Sequence, residues 1–438
     1  MHPGTGRPRI AAIVSCAVVI LVVSCSAAAP PSGDQLPALH GVRLQVVGSW
    51  SGVEQRHFVA VLHAFDTETG ARVRYTYAHG YLPNELDARF AHGDPPDLAV
   101  FSQPGLLDRY ARQGRLVPLD AATAATVRAS YAPVWRRLAS WHGRMWGVWF
   151  KAANKSLVWY DIADFERLGL VGPTTLAGLV RTEAVLRHHG TVPLSLGAGG
   201  LDAWTLTDWF ENVYLRLAGP AAYDALSRHE IAWTTPGVAR TLVELRRLLA
   251  PHNLLGGTGG ALRTGYENSV AKAFGRPPGA AMLMEGDFVA SVISARTPDR
   301  LGTDVDVFPF PGDYRGEPVV MGGGDVVVQT RAARGGAELL RYLASPGAAA
   351  IWARAGGFIS PNLDLDLGVY PDRLARAAAR SVVEAGDRFR FDLSDLAPDR
   401  FGAAPTSGMQ GALRRFLVTG NVRATQAVLE ADARAAWP

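Results

Sequence analysis

Apolar positions along the chain switch between two periods. Val42 to Val47 is a short β-type run, and Glu54 to Thr69 carries Phe58, Val61, Leu62 and Phe65 at the three- and four-residue spacing of an amphipathic helix. Gly70 ends that helix, and Arg72 to Tyr77 (RVRYTY) alternates as a second strand. Asn84 to His92 reads as helix, Leu98 to Phe101 after Pro95-Pro96 as a buried strand, and Gly105 to Gln113 as helix again. Strands separated by single helices predict parallel βαβ units and an α/β fold. Thr174 to Gly275 is mostly helical by period, with breaks at Gly197–Gly200 and at Gly256–Gly260, the second read as a mobile loop. Strand character returns at Ala280 to Met284, Val305 to Phe310 and Val326 to Gln329. Helices are predicted over Glu338 to Ala344, Pro346 to Ala355 and the stretch from Pro371. An α/β lobe, a helical lobe and a return to strands predict two lobes with the chain crossing between them.

The first residues follow a different logic. Arg7-Pro8-Arg9 precedes 15 apolar or small residues, Ile10 to Ser24, and then Cys25. That is the layout of an export signal, and it falls short of the roughly 20 apolar residues that span a bilayer. Residues 27–39 (AAAPPSGDQLPAL) read as a tether, so signal (1–24) and tether (25–40) precede the fold. Cys16 and Cys25 are the only cysteines, and the mature domain is therefore expected to depend on its own core rather than on disulfides.

The chain is 48% hydrophobic and 19% charged, which describes a globular protein, and its net charge of +4 is scattered without the basic patch of a nucleic-acid binder. No phosphate loop, nucleophile elbow or His/Cys metal spacing is present, so no cofactor, metal or catalytic constellation is predicted. Only three lysines occur, at 151, 155 and 272, against 41 arginines.

Candidate chemistry lies in aromatic and carboxylate positions. Eleven tryptophans are present. Aromatic faces against ring C–H groups, with carboxylates against hydroxyl pairs, are the means by which a protein holds a sugar. Trp50 follows a strand end beside Ser49, Ser51 and Glu54. Trp149, Lys151 and Asn154 cluster where a strand meets a cleft, while Trp146 and Trp159 are equally consistent with core. Trp204 and Asp208 are four apart and share a helix face, against the alternative that Trp209 packs inward and Asp208 is solvated. Glu285 and Asp287 could be a glycosidase pair, but hydroxyl acceptance is the better use of them. Asp325 after Gly322-Gly323-Gly324 could accept two hydroxyls, or cap a tight turn. Phe358 could close one side of the cleft.

Four segments together resemble the extracellular solute-binding proteins of carbohydrate ABC transporters, the group containing maltose-binding protein. They are 46–77, the Asp-Pro-Pro-Asp stretch of 93–120, 143–160, and 308–330 with its Gly-rich turn. Residues 48–57, 151–160, 204–209 and 321–325 are most similar to the α-glucoside branch. Trp149-Phe150 and Asp287-Phe288 depart from the commoner pattern near the expected ligand. Val22-Val23-Ser24-Cys25 resembles a lipobox. The resemblance implies a two-lobed class II binding-protein fold with about three hinge crossovers, near 150–153, 304–311 and 346–358. The lobes would be 41–150 with 311–350, and 151–310 with 351–438. It implies a monomeric receptor, lipid-anchored through Cys25 on the outer face of the cell membrane, that closes on a sugar and delivers it to permease subunits. A receptor of the same fold for an amino sugar or sugar phosphate is the alternative, and a secreted glycoside hydrolase a more distant one.

Overall fold

In the computed structural model, which describes residues 1–4, 36–312 and 319–437, the strand-helix alternation of the sequence becomes an α/β series. It runs β1 (Arg43–Gly48), α1 (Gly52–Thr69), β2 (Arg72–Tyr77), α2 (Leu82–Ala91), β3 (Leu98–Phe101) and α3 (Pro104–Arg112). Phe58, Val61, Leu62 and Phe65 form the buried stripe of α1, and Gly70 ends the helix in the left-handed conformation at φ 75°. Next come α4 (Ala121–Ser130), α5 (Pro133–Leu138), the small β4 (Ser140–Trp141) and β5 (Arg144–Met145), then β6 (Gly147–Asn154) and β7 (Leu157–Asp161).

The helical stretch holds α6 (Ile162–Arg167), α7 (Leu176–His188), α8 (Trp204–Ser227), α9 (Pro236–Leu248), α10 (Gly257–Arg263) and α11 (Tyr266–Ala273). The Gly256–Gly260 loop expected from sequence is instead the start of α10, because Gly256 and Gly257 supply positive φ (72° and 65°) and the backbone then closes helical bonds. Then follow β8 (Met282–Met284), α12 (Val289–Arg296), β9 (Val305–Pro309), β10 (Val320–Gln329), α13 (Gly336–Leu343), α14 (Pro346–Ala353), α15 (Arg373–Ala385) and β11 (Phe389–Phe391). The chain closes with α16 (Leu393–Leu396), α17 (Asp399–Gly402), α18 (Gly408–Thr419) and α19 (Val422–Ala436). No helix among the described residues is long and apolar enough to cross a membrane. Residues 5–35, which hold the rest of the signal, the tether before residue 36 and Cys25, lie outside the described residues.

Two sheets organise the molecule. The first has order β11-β10-β3-β1-β2, with β6 on the other side of β10; β1 is parallel to β2 and β3, and β10 is antiparallel to β3 and β6. The second is β8-β7-β9, antiparallel, covered by α7, α8 and α9 around Trp209, Phe210, Trp233 and Leu242. The chain passes from one sheet to the other between Asn154 and Leu157, and again between Pro309 and Val320.

The third crossing read near 346–358 does not occur there. That segment stays beside the first sheet, since Ala152 N donates to Ile359 O and Phe358 stacks on Trp352 at 5.0 Å. The chain leaves only after β11, which pairs parallel with β10; Leu393 then enters the helical core.

The Gly-rich turn is also corrected. Gly322 to Gly324 lie inside β10, paired with Asn154, Ala153 and Ala152. Side chains would not fit, because a Cβ on Gly322 would stand 2.1 Å from Ala153 O and one on Gly324 2.5 Å from Lys151 O. The glycines let two crossing strands approach closely.

Candidate functional site

The ends of the parallel strands open into one cleft. Ser49 and Trp50 follow β1, Tyr77 and Ala78 end β2, and Ser102 and Gln103 follow β3; all line a cavity of about 550 Å³. Ligand sites of α/β sheets lie at these carboxyl ends. The opposite wall comes from the helical side: Asp202, Trp204, Tyr266, Glu267 and Phe288. The C-terminal stretch adds Asp392, Ser394, Asp395 and Gln410.

The floor is the crossing strand. Lys151, Ala153 and Lys155 line the cleft, as the two-residue period of a strand requires, while Ala152 and Asn154 face away. The Lys151 ammonium donates to Glu54 of α1 and sits 5.5 Å from the Phe288 ring. Burial opposes its charge, but Glu54 and Asp325 hold the ammonium above its ordinary range. Asp325 is paired with Lys151 across the strands. Burial pushes its carboxyl up to about 6, and Lys151 together with a hydrogen bond from Trp50 restrains the rise.

Lys155 repeats this arrangement four residues on. Its ammonium is 3.2 Å from Asp208 Oδ1 and 2.5 Å from Asp392 Oδ2, with the Trp204 ring 5.5 Å away. Burial works against this ammonium too, yet Asp208 and Asp392 hold it well above its usual range. Against that same burial, Lys155 and hydrogen bonds from Asp208, Lys155 and Ser394 keep Asp392 low, whereas burial drives Asp208 well up.

Asp208, Glu211 and Asp392 bring oxygen atoms within 4.8 Å of one another, close enough for a metal. Lys155 already provides the cation there. Glu211 meanwhile accepts from Leu393 N, Ser394 N and the Tyr223 hydroxyl.

Trp204, Tyr266 and Phe288 form a continuous aromatic wall, with centroids 5.2 to 6.0 Å apart. The Tyr266 hydroxyl is buried and has no hydrogen-bond partner among the described residues. Burial holds the phenol well above its ordinary range, so it remains a proton donor.

Of the residues singled out in the sequence, Trp50, Glu54, Lys151, Trp204 and Asp325 line the cleft. Trp50 is also core, edge-on to Phe58 and Trp352 at 4.8 and 4.9 Å. Asp208 reaches the cleft only through Lys155.

The others lie behind it. Trp149 packs on Trp135 and Phe391, because a bulge opposite Asp325/Val326 resets the alternation between Trp149 and Lys151. Asn154 faces the far side and donates to Ser381. Asp287 accepts from Asn154 N and, with Phe358, lines a small separate cavity. Glu285 is buried at 2% exposure and does not line the cleft. Burial pushes Glu285 up to about 8 and Asp287 up to about 7. Tyr266, Phe288, Lys155, Asp392 and Asp395 were missed as ligand candidates. The signal for Lys155 was available: it has the same strand parity as Lys151.

Two lobes of this construction, closing from both sides on a cleft floored by crossing strands, define a solute receptor. Residues 51–350 match the bacterial extracellular solute-binding protein family, and the chain belongs to it. It is 32% identical over 396 residues to the osmoprotective compounds-binding protein GgtB of Synechocystis sp. (89% of this chain, 92% of that one). It is 28% identical over 380 residues to the alpha-glucosides-binding periplasmic protein AglE of Rhizobium meliloti (83% and 82%). Among solved structures, the bacterial solute receptor AcbH, described as exclusive for β-D-galactopyranose, superposes with a TM-score of 0.78 at 20% identity (90% of this chain, 99% of that one). The raffinose complex of RafE gives 0.72 at 16% identity (91% and 100%). At these identities the structures share the fold.

Proposed function

We propose that the chain captures a neutral carbohydrate outside the cytoplasmic membrane and delivers it to the permease of an ABC importer. The observation that carries this reading is the pairing of an aromatic wall (Trp204, Tyr266, Phe288) with carboxylates and lysines drawn from both lobes. Aromatic faces cover the apolar side of a sugar ring, and charge-assisted donors and acceptors take its hydroxyls. Each lysine is already balanced by carboxylates, so an anionic ligand such as a sugar phosphate would meet no free cation at either. An α-glucoside is the favoured ligand, on the likeness to AglE together with the branch resemblance of residues 151–160 and 204–209.

We read the lobes as 42–154 with 320–391, and 157–309 with 392–437, rotating about the passages at 155–156 and 391–393. A ligand touching both lobes favours the closed form by its extra contacts there. Binding without turnover is the reading for the carboxyls: Glu285 and Asp287 are buried and do not line the cleft, which supports binding over an acid–base role across a glycoside. Cys25 is the proposed lipid anchor and the mature receptor a monomer. Metabolic labelling with a palmitate analogue, lost in Cys25→Ser, tests the anchor.

The ligand is tested by a thermal-shift panel of neutral saccharides, amino sugars, polyols and sugar phosphates. A ligand at 100 times its dissociation constant stabilises by about 2.7 kcal/mol. A panel in which no saccharide raises the melting temperature rejects the proposal.

A further inference from the structure

Residues 393–405 turn one face to the cleft and another to the first lobe beside it. The segment belongs to the helical lobe: Leu393, Ala397 and Phe401 are fully buried in that core, and Glu211 of α8 accepts from Leu393 N and Ser394 N. Across the gap stand α3 and the entry to α2, which belong to the first lobe. A Cβ at Gly105, in the first turn of α3, would overlap the Ala397 carbonyl oxygen and stand 3.0 Å from its carbon. The backbone there is helical, so the close approach, and not a turn, is what calls for glycine. One turn further along α3, Arg109 Nη1 is 3.4 Å from Asp399 Oδ2, and the Tyr81 hydroxyl is 3.4 Å from Asp399 O. Arg109 is oriented from its own lobe: its Nη2 donates to Asp87 at 3.1 Å and to the Tyr110 hydroxyl at 3.0 Å. Gly105, Arg109, Ala397 and Asp399 do not line the cleft, so a ligand bound in it does not touch them.

We infer that this contact is a latch outside the binding cavity: the Gly105–Ala397 approach and the Arg109–Asp399 pair hold the lobes together and set how much of the receptor stands closed before a solute arrives. A solute that needs the closed form binds more weakly in proportion to the fraction of molecules lacking it. Gly105, Arg109 and Asp399 are then positioning residues, acting on capture through the lobes alone. The inference rests on the closing-receptor reading above and adds a control that does not depend on which solute is held.

The test is small-angle X-ray scattering of the full chain without sugar, as native protein, Gly105→Ala and Asp399→Asn, followed by titration calorimetry of each with maltose, trehalose and sucrose. Alanine suits a helix better than glycine, so Gly105→Ala keeps α3 while its methyl meets Ala397. Asp399→Asn keeps the shape and removes the charge, and it serves if Gly105→Ala fails to fold. Each variant is expected to have a larger radius of gyration than the native protein. Any of the three sugars that binds the native protein should bind Gly105→Ala about tenfold more weakly, and Asp399→Asn more weakly by a smaller factor. A native radius of gyration in every folded variant overturns the inference. So does an expanded Gly105→Ala that binds each such sugar within about threefold of native, since the contact would then not govern capture. If none of the three binds the native protein, the carbohydrate reading loses its support and the scattering alone decides the latch.

Discussion

The two faces of the β6–β10 ribbon are built from the same strands and behave as different materials. Toward the cleft stand Lys151, Lys155 and Asp325, whose charges are balanced against one another and against Glu54 and Asp392. Behind lie Trp149, Trp135, Phe389 and Phe391, an aromatic block with centroids 5.0 to 6.2 Å apart. The carboxyls behind the cleft, Glu285 and Asp287, have no ammonium in contact, and burial raises both. Both sets are largely buried; a buried charge in contact with its counter-charge can be balanced, whereas one without such a contact is more cheaply removed by a proton. Along the ribbon, strand parity, shifted once at the bulge, decides which residues face the cleft.

Trp149→Ala removes a ring from the aromatic block and should cost about 3–5 kcal/mol in denaturant unfolding, with ligand affinity of the folded fraction held within about threefold. A large affinity loss with little destabilisation would place Trp149 in the site instead. Lys155→Met should cost about 3 kcal/mol, because it strands the Asp392 carboxylate in the interior. The deficit should shrink toward acid pH as Asp392 takes up a proton; a deficit independent of pH would show that Asp392 is not the charged partner.

The rear carboxyls give a pH signature. Glu285 lies at about 8 folded against an ordinary 4.5, so the folded state holds its proton more tightly than the unfolded chain. Stability from this group is therefore complete below about 4.5 and lost as pH rises to about 8, at no more than about 1.4 kcal/mol per pH unit. Melting temperatures from pH 5 to 9 should fall in the native protein and fall less in Glu285→Gln; equal slopes would contradict a neutral Glu285. Smallest of all, Tyr266→Phe should leave the melting temperature alone and weaken the ligand by about 0.5–1.5 kcal/mol, read by calorimetry. An unchanged affinity would remove Tyr266 from the ligand's partners.

Local signals were legible where the chain obeyed its own period. The stripe of α1, the ends of β2 and β3, and the cleft position of Trp50 and Lys151 follow from alternation, capping and strand-end logic. Trp149 escaped because one bulged residue inverts parity without any mark in composition. Gly322–Gly324 was ambiguous, since a glycine run serves a turn and a tight strand crossing equally well. Asp392 meets Lys155 across 237 residues, a proximity no local pattern encodes. Phe288 stood out as a departure from the resemblance, and it proves to face the Lys151 ammonium.

Asp392, Ser394, Asp395 and Gln410 all fall after residue 350, where the family match stops, yet they wall the cleft. The tail therefore supplies part of the wall that a ligand meets. A change in this stretch would reach both what is captured and how the two halves swing, since the same stretch carries β11 beside β10 and one of the passages between the sheets.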